Sequence, residues 1–200
     1  MPRKTVVRWR ALSAVVLAAP LFVIAAPAHA AGTPTCLGRE ATIVGTPGPD
    51  RIPGTDGDDV IVGLTGRDII DGLGGNDLIC GNGGVDTLNG GAGDDVLDGG
   101  LDKDFITGED GNDVLIGRLG PDVLNFGDSE DGDDVVFGGP GDDSLSAGVG
   151  RDRLLGGRGD DRLTEGEVDA PTVDLFAGGS GSDTCAPGAE DVVVSCELPL

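Results

Sequence analysis

Aspartate recurs every nine residues along much of this chain, at Asp50, Asp59, Asp68, Asp77, Asp86, Asp95, Asp104, Asp113 and Asp122. After a slip of three residues the series resumes at Asp134, Asp143, Asp152 and Asp161, and after a second insertion at Asp174 and Asp183, making fifteen units. Thirteen of the fifteen have Gly two residues before the Asp; Asp102 and Thr172 are the exceptions. Carboxylates on flexible glycine turns, with no His or thiolate among them, are hard oxygen donors. They suit Ca²⁺, which takes about six to eight oxygens at roughly 2.3 to 2.6 Å, better than rigidly octahedral Mg²⁺ or a soft metal. The candidate metal ligands are the aspartates of this series from Asp50 to Asp161, together with Asp183.

A rival chemistry for so many carboxylates is general acid–base catalysis. The only His (His29), Trp and Met lie in the first thirty residues, Tyr is absent, and neither HExxH nor GxSxG occurs. The aspartates therefore read as solvated turn carboxylates, and no enzyme activity is expected. About fourteen residues precede the repeats and about as many follow them, which leaves no room for a catalytic domain in this sequence.

What must position these carboxylates follows from the rest of the unit. Two residues after each Asp stands Ile52, Ile61, Ile70, Ile79, Leu88, Leu97, Ile106, Leu115, Leu124, Val136, Leu145, Leu154, Leu163, Phe176 or Cys185, apolar in every case. A period of nine fits neither an amphipathic helix nor a heptad, and glycine at this density opposes helix. Asp-x-apolar-x predicts a very short strand with one inward side chain, and Gly-x-x-Gly a tight turn with positive φ. Such units bury their apolar residues only by stacking side by side.

Gly90-Gly91-Ala92-Gly93-Asp94-Asp95-Val96-Leu97-Asp98 matches G-G-x-G-x-D-x-U-x throughout, as do Gly138 to Ser146 and Gly156 to Thr164. The sequence thus resembles the RTX, or hemolysin-type, calcium-binding repeats from about Gly45 to Ala186. Its flanks, Cys36-Leu37-Gly38 and Asp183-Thr184-Cys185 to Cys196-Glu197, look like those of short exported actinobacterial members. The resemblance implies an all-β chain folded as a right-handed parallel β-roll with two units per turn. It also implies that the turns of units i and i+2 clamp one Ca²⁺ through the sixth-position Asp and backbone carbonyls.

With two units per turn, residues 18 apart stack, and the turns form two columns. The even column reads Gly57-Asp58-Asp59, Gly75-Asn76-Asp77, Gly93-Asp94-Asp95 and Gly111-Asn112-Asp113. The odd column places Pro49, Arg67, Val85, Lys103 and Pro121 before its Asp, with Leu64, Leu101, Arg118 and Leu119 nearby. Cations and bulky groups oppose metal binding, so the even column is expected to hold Ca²⁺ better. Beyond the Phe126-Gly127-Asp128 insertion, expected to bulge one turn, Asp142-Asp143 and Asp160-Asp161 transfer the acidic turns to the odd column. Val60, Ile69, Leu78, Val96, Phe105, Val114, Val123 and Val135 precede the inward residues and are expected to point outward.

Residues 1–30 have the layout of an export signal: Arg3, Lys4, Arg8 and Arg10, an apolar run from Ala11 to Ala26, then Ala28-His29-Ala30 for cleavage. The expected organisation is this signal, an N-terminal cap over 31–44, the roll over 45–186 and a C-terminal cap over 187–200. Removing the signal leaves nine Lys+Arg against 36 Asp+Glu, a formal charge of −27. So acidic a chain lacks the cationic footprint for nucleic acid or anionic membrane, and no membrane insertion is expected. Four Cys in an exported chain permit three pairings; nearness in sequence and the need to tie down a solenoid end favour Cys185–Cys196 and Cys36–Cys80. The function expected is a secreted, extracellular calcium-binding protein that folds on binding. The alternatives are a calcium-stiffened structural or adhesive module with a cell-surface partner and the remnant of an RTX hydrolase.

Overall fold

The computed structural model describes residues 32–125, 132–165, 173–189 and 191–196. The predicted export signal, the Phe126-Gly127-Asp128 insertion and the terminal Leu198-Pro199-Leu200 lie outside the described residues. Among the described residues there is no helix, and so none long and apolar enough to cross a membrane.

Short strands alternate between two parallel sheets, so each coil of chain contributes one strand to each. The nine-stranded sheet runs from Ile43–Val44 through Val60–Thr65, Leu78–Gly83, Val96–Leu101, Val114–Leu119, Val135–Pro140, Arg153–Arg158 and Leu175–Ser180 to Val192–Val194. The eight-stranded sheet runs from Arg51–Thr55 through Ile69–Gly74, Thr87–Ala92, Phe105–Asp110, Val123–Asn125, Ser144–Ser146 and Arg162–Thr164 to Thr184–Ala186. This is the expected parallel β-roll. Pairing continues on both sides of the 45–186 repeats, through Ile43–Val44 and Val192–Val194.

Register is fixed by the inward file. Ile61 pairs with Ile79, Ile79 with Leu97 and Leu97 with Leu115 in one sheet, while Ile52, Ile70, Leu88 and Ile106 align in the other. The insertions do not disturb it: Leu115 meets Val136, Leu124 meets Leu145 and Leu154 meets Phe176. All these side chains are buried in one continuous core. A slip of one residue would turn every one of them to the outer face.

A second, smaller core lies outside the roll. Thr35–Cys36 and Arg39–Glu40 form a hairpin whose two-residue turn, Leu37-Gly38, has positive φ at both positions (45° and 87°), as tight hairpins require. Cys36, fully buried, packs with Val60, Val62, Leu78 and Cys80 on the outer face of the nine-stranded sheet. Val60 and Leu78, expected to point outward, are thus buried (3% and 6% exposed). They do face away from the main core, but residues before the repeats cover them. Ile69 and Phe105 on the other sheet remain exposed. Both disulfides pair as expected, Cys36–Cys80 and Cys185–Cys196.

Candidate metal centres

The stacking of coils turns the nine-residue series into two continuous carboxylate ladders. In each, an Asp amide donates to Oδ1 of the Asp one coil further on. In the even column Asp59 donates to Asp77 (2.8 Å), Asp77 to Asp95 (2.7 Å), Asp95 to Asp113 (2.8 Å), Asp113 to Asp134 (2.6 Å) and Asp134 to Asp152 (3.0 Å). In the odd column the same bond links Asp50, Asp68, Asp86, Asp104, Asp122, Asp143, Asp161 and Asp183 at 2.8 to 3.0 Å. The fourteen candidate ligands therefore fall into two files, and the insertions shift neither.

These carboxylates are not solvated, contrary to expectation. From Asp59 to Asp183 the series is at most 7% exposed, because each carboxylate lies under its neighbours in the stack, a burial that no single repeat reveals. From Asp68 onward one oxygen of each is satisfied by the ladder, whereas Asp59 Oδ1 accepts from the Thr42 hydroxyl (3.1 Å). The other, Oδ2, is buried without a hydrogen-bond partner in Asp68, Asp77, Asp86, Asp95, Asp104, Asp113, Asp122, Asp143, Asp152, Asp161 and Asp183. A row of orphaned carboxylate oxygens is costly unless something of opposite charge or a proton meets it.

The surroundings are shaped by glycine. A Cβ on Gly72 would stand 2.3 Å from Asp77 Oδ2 and 2.4 Å from the Gly90 carbonyl oxygen of the next coil. Gly90 stands in the same relation to Asp95 Oδ2 (2.4 Å) and the Gly108 carbonyl (2.7 Å). Glycine thus lets a free carboxylate oxygen and a carbonyl oxygen approach one another, as an oxygen-coordinated cation requires. No three acidic, His or Cys side chains gather as a metal-binding group among the described residues, so carbonyls must complete any coordination shell.

Burial pushes these carboxyls up from their ordinary range, against the lowering effect of the ladder hydrogen bond. Asp95, Asp104, Asp134 and Asp143 reach about 7, with neighbouring carboxylates adding to the rise. Asp113 and Asp152 reach about 6; Asp68, Asp77, Asp86, Asp122 and Asp161 also rise, mainly through burial. A divalent cation bound there near neutrality would have to displace those protons.

The ends of the ladders differ. Asp50 Oδ2 accepts from the Thr46 amide and hydroxyl (2.6 and 2.9 Å), and Asp59 Oδ2 from those of Thr55 (both 2.8 Å). Threonine thus closes the first turns, occupying the oxygen that has no partner further along the ladders. At the other end Asp152 donates to Asp174 (2.9 Å) and Asp174 to Asp191 (3.0 Å). Neither acceptor was among the candidates. Asp191-Val192-Val193 repeats the Asp-x-apolar signal, but 17 residues after Asp174, off the expected spacing.

Comparison with protein families matches the model described as RTX calcium-binding nonapeptide repeat (4 copies) to residues 53–88, 81–115, 89–124 and 128–163, more than half of the chain. The chain belongs to the RTX calcium-binding nonapeptide repeat family. Comparison with curated proteins and with solved structures found no match. The orphaned oxygens and glycine-shaped turns of this RTX roll fit Ca²⁺, which would be held by the ladder carboxylates and turn carbonyls.

A second ladder separates the two columns of the RTX roll. On the even side the exposed residue before each Asp accepts the amide one coil on: Asp58 from Asn76 (2.8 Å), Asn76 from Asp94 (3.2 Å), Asp94 from Asn112 (2.9 Å), Asn112 from Asp133 (3.0 Å) and Asp133 from Arg151 (3.1 Å). Pro49, Arg67, Val85, Lys103 and Pro121 offer no such acceptor. On the odd side the bond first occurs at Asp142, which accepts from Asp160 (2.9 Å), followed by Asp160 from Ser182 (2.8 Å). The acidic outer file changes column where the sequence does, while the inner ladder runs through both columns alike.

Proposed function

We propose that this RTX protein is an exported, non-enzymatic calcium-binding protein whose roll is completed by Ca²⁺ in the turns. The observation that carries this reading is the file of buried Oδ2 atoms without partners, eleven of them in two columns. Bound Ca²⁺ supplies the positive charge and oxygen coordination that these atoms otherwise lack. The chain's own part is structural: Oδ1 of each Asp is fixed by the preceding coil, so Oδ2 is held in place before an ion arrives. Because ions bind the stacked state and not the extended chain, each occupied site stabilises folding by RT ln(1 + [L]/Kd), about 2.7 kcal/mol at a hundredfold excess over Kd.

Export is supported by the signal-like residues 1–30 and by two disulfides, which persist in oxidising compartments. Absence of catalysis is supported by the lack of His beyond residue 29 and by carboxylates committed to ladders. Circular dichroism of the mature protein in EGTA and after Ca²⁺ addition is the test. We expect loss of β signal in EGTA at pH 7.5 and its recovery with Ca²⁺; an unchanged β spectrum would refute dependence of the fold on calcium.

A further inference from the structure

The outer face of the nine-stranded sheet carries a groove that calcium binding leaves unused. One in-register row of outward side chains there runs Val62, Cys80, Asp98, Ile116, Phe137 and Leu155. The corresponding row on the eight-stranded sheet is mostly polar, with Asp71, Asn89, Thr107 and Asn125. Where the strands of the apolar row enter the odd-column turns, Leu64, Leu101, Arg118 and Leu119 stand beside it. Together with Leu37 of the N-terminal hairpin they wall a groove of about 790 Å³, within the usual size of small-molecule sites.

Four side chains that depart from the glycine-rich turn pattern, Leu64, Leu101, Arg118 and Leu119, are thus gathered on one surface. Leu64 and Arg118 also adopt left-handed backbone (φ 82° and 75°), where glycine would be unstrained. Leu37, Leu101, Leu119 and Phe137 are each 42–52% exposed, so a ligand with an apolar body would remove several large side chains from water at once.

Among the described residues, only two charged side chains line this groove. Asp98 is 5% exposed and both its oxygens accept from Arg118 Nε at 2.7 Å, with Nη2 also on Oδ2. The carboxylate is fully committed and holds the guanidinium in place. Arg118 keeps half its side chain in solvent, and its Nη1 has no hydrogen-bond partner among the described residues. The charged group available to a ligand is therefore a cation. The acidic chain as a whole repels anions, but charges beyond about 8 Å are screened at physiological salt.

We propose that the groove binds a monoanionic amphiphile, its aliphatic or aromatic body against Ile116, Leu119 and Phe137 and its carboxylate or like anion on Arg118. The apolar wall supplies affinity and the guanidinium supplies selectivity for the head.

The test is fluorescence titration of the calcium-saturated protein with anilinonaphthalene sulfonate, followed by displacement with octanoate, 1-octanol and octyltrimethylammonium. We expect one saturable site, displaced at least tenfold more effectively by octanoate than by the neutral or cationic analogue. Arg118→Gln should reduce octanoate displacement about tenfold and leave octanol unchanged. Since that variant strands Asp98, the pair Asp98→Asn with Arg118→Gln is measured beside it, after circular dichroism confirms the calcium-bound fold. Equal displacement by the three heads on the unmodified protein, or absence of a saturable site, would overturn the proposal.

Discussion

Each ladder aspartate divides its work between two oxygens, and substitution can separate the two. In Asp95, Oδ1 accepts the Asp77 amide while Oδ2 has no partner. Asn keeps an Oδ1 acceptor and removes the charge; Ala removes both and leaves a buried amide unpaired, at about 1–3 kcal/mol. We therefore expect Asp95→Asn and Asp95→Ala both to weaken calcium-induced folding. In urea denaturation at saturating Ca²⁺, the Ala variant should be less stable than Asn by about 1–3 kcal/mol; equal stability would remove the ladder bond from the account. The columns give a second comparison. Asp95 has the acidic outer file beside it, whereas Asp86 and Asp104 stand beside Val85 and Lys103. Asp95→Ala should thus shift the calcium midpoint further than Asp86→Ala or Asp104→Ala, and equal midpoints at fixed ionic strength would show that the inner ladder alone sets affinity. Gly90 faces Asp95 Oδ2 with no space for a methyl group, so Gly90→Ala should cost about 1–3 kcal/mol through overpacking, read as a lower urea midpoint in calcium.

Among the elements, the N-terminal hairpin acts as a lid on the outer face of the nine-stranded sheet rather than as an extra coil. Its disulfide closes a separation of 44 residues, against 11 for Cys185–Cys196. Loop-closure entropy assigns about 4 kcal/mol to the first and about 3 kcal/mol to the second. The Cys36→Ser/Cys80→Ser variant also frees Val60, Val62 and Leu78 from their cover, and we expect it to lower the calcium-saturated melting temperature more than Cys185→Ser/Cys196→Ser does. The reverse order would place the principal restraint at the C-terminal end. The strands, inward file and paired columns were legible in the sequence because a strict nine-residue period with apolar side chains at one phase has few ways to stack. The burial of Val60 and Leu78 was not legible, because it depends on contact with Cys36, which lies outside the repeat. Nor was burial of the aspartates, since a turn viewed singly is exposed and only the coils above and below enclose it. Asp191 was hidden by a one-residue change of spacing, although its Asp-x-apolar signal was present.

At the scale of the whole roll, protons and calcium compete for the same buried oxygens, and this gives the metal-free and calcium-bound states opposite responses to pH. In the folded, metal-free chain Asp95, Asp104, Asp134 and Asp143 are pushed up to about 7, and Asp113 and Asp152 to about 6, against about 3.9 in an unfolded chain. Between these values the folded state holds more protons than the unfolded one. Its stability contribution from these groups is fully present below about pH 4 and is lost as pH rises through 6 to 7. Calcium reverses the dependence because it binds the deprotonated form. We expect β signal in EGTA to be greater at pH 5 than at pH 8, and the calcium concentration for half-maximal folding to rise as pH falls from 8 to 5.5. General repulsion among surface acids would also ease on acidification, but salt screens exposed charges far more than buried ones. Repeating the EGTA series in 0.5 M NaCl separates the causes: a persistent pH dependence places it in the buried ladders, whereas its disappearance would assign it to surface charge.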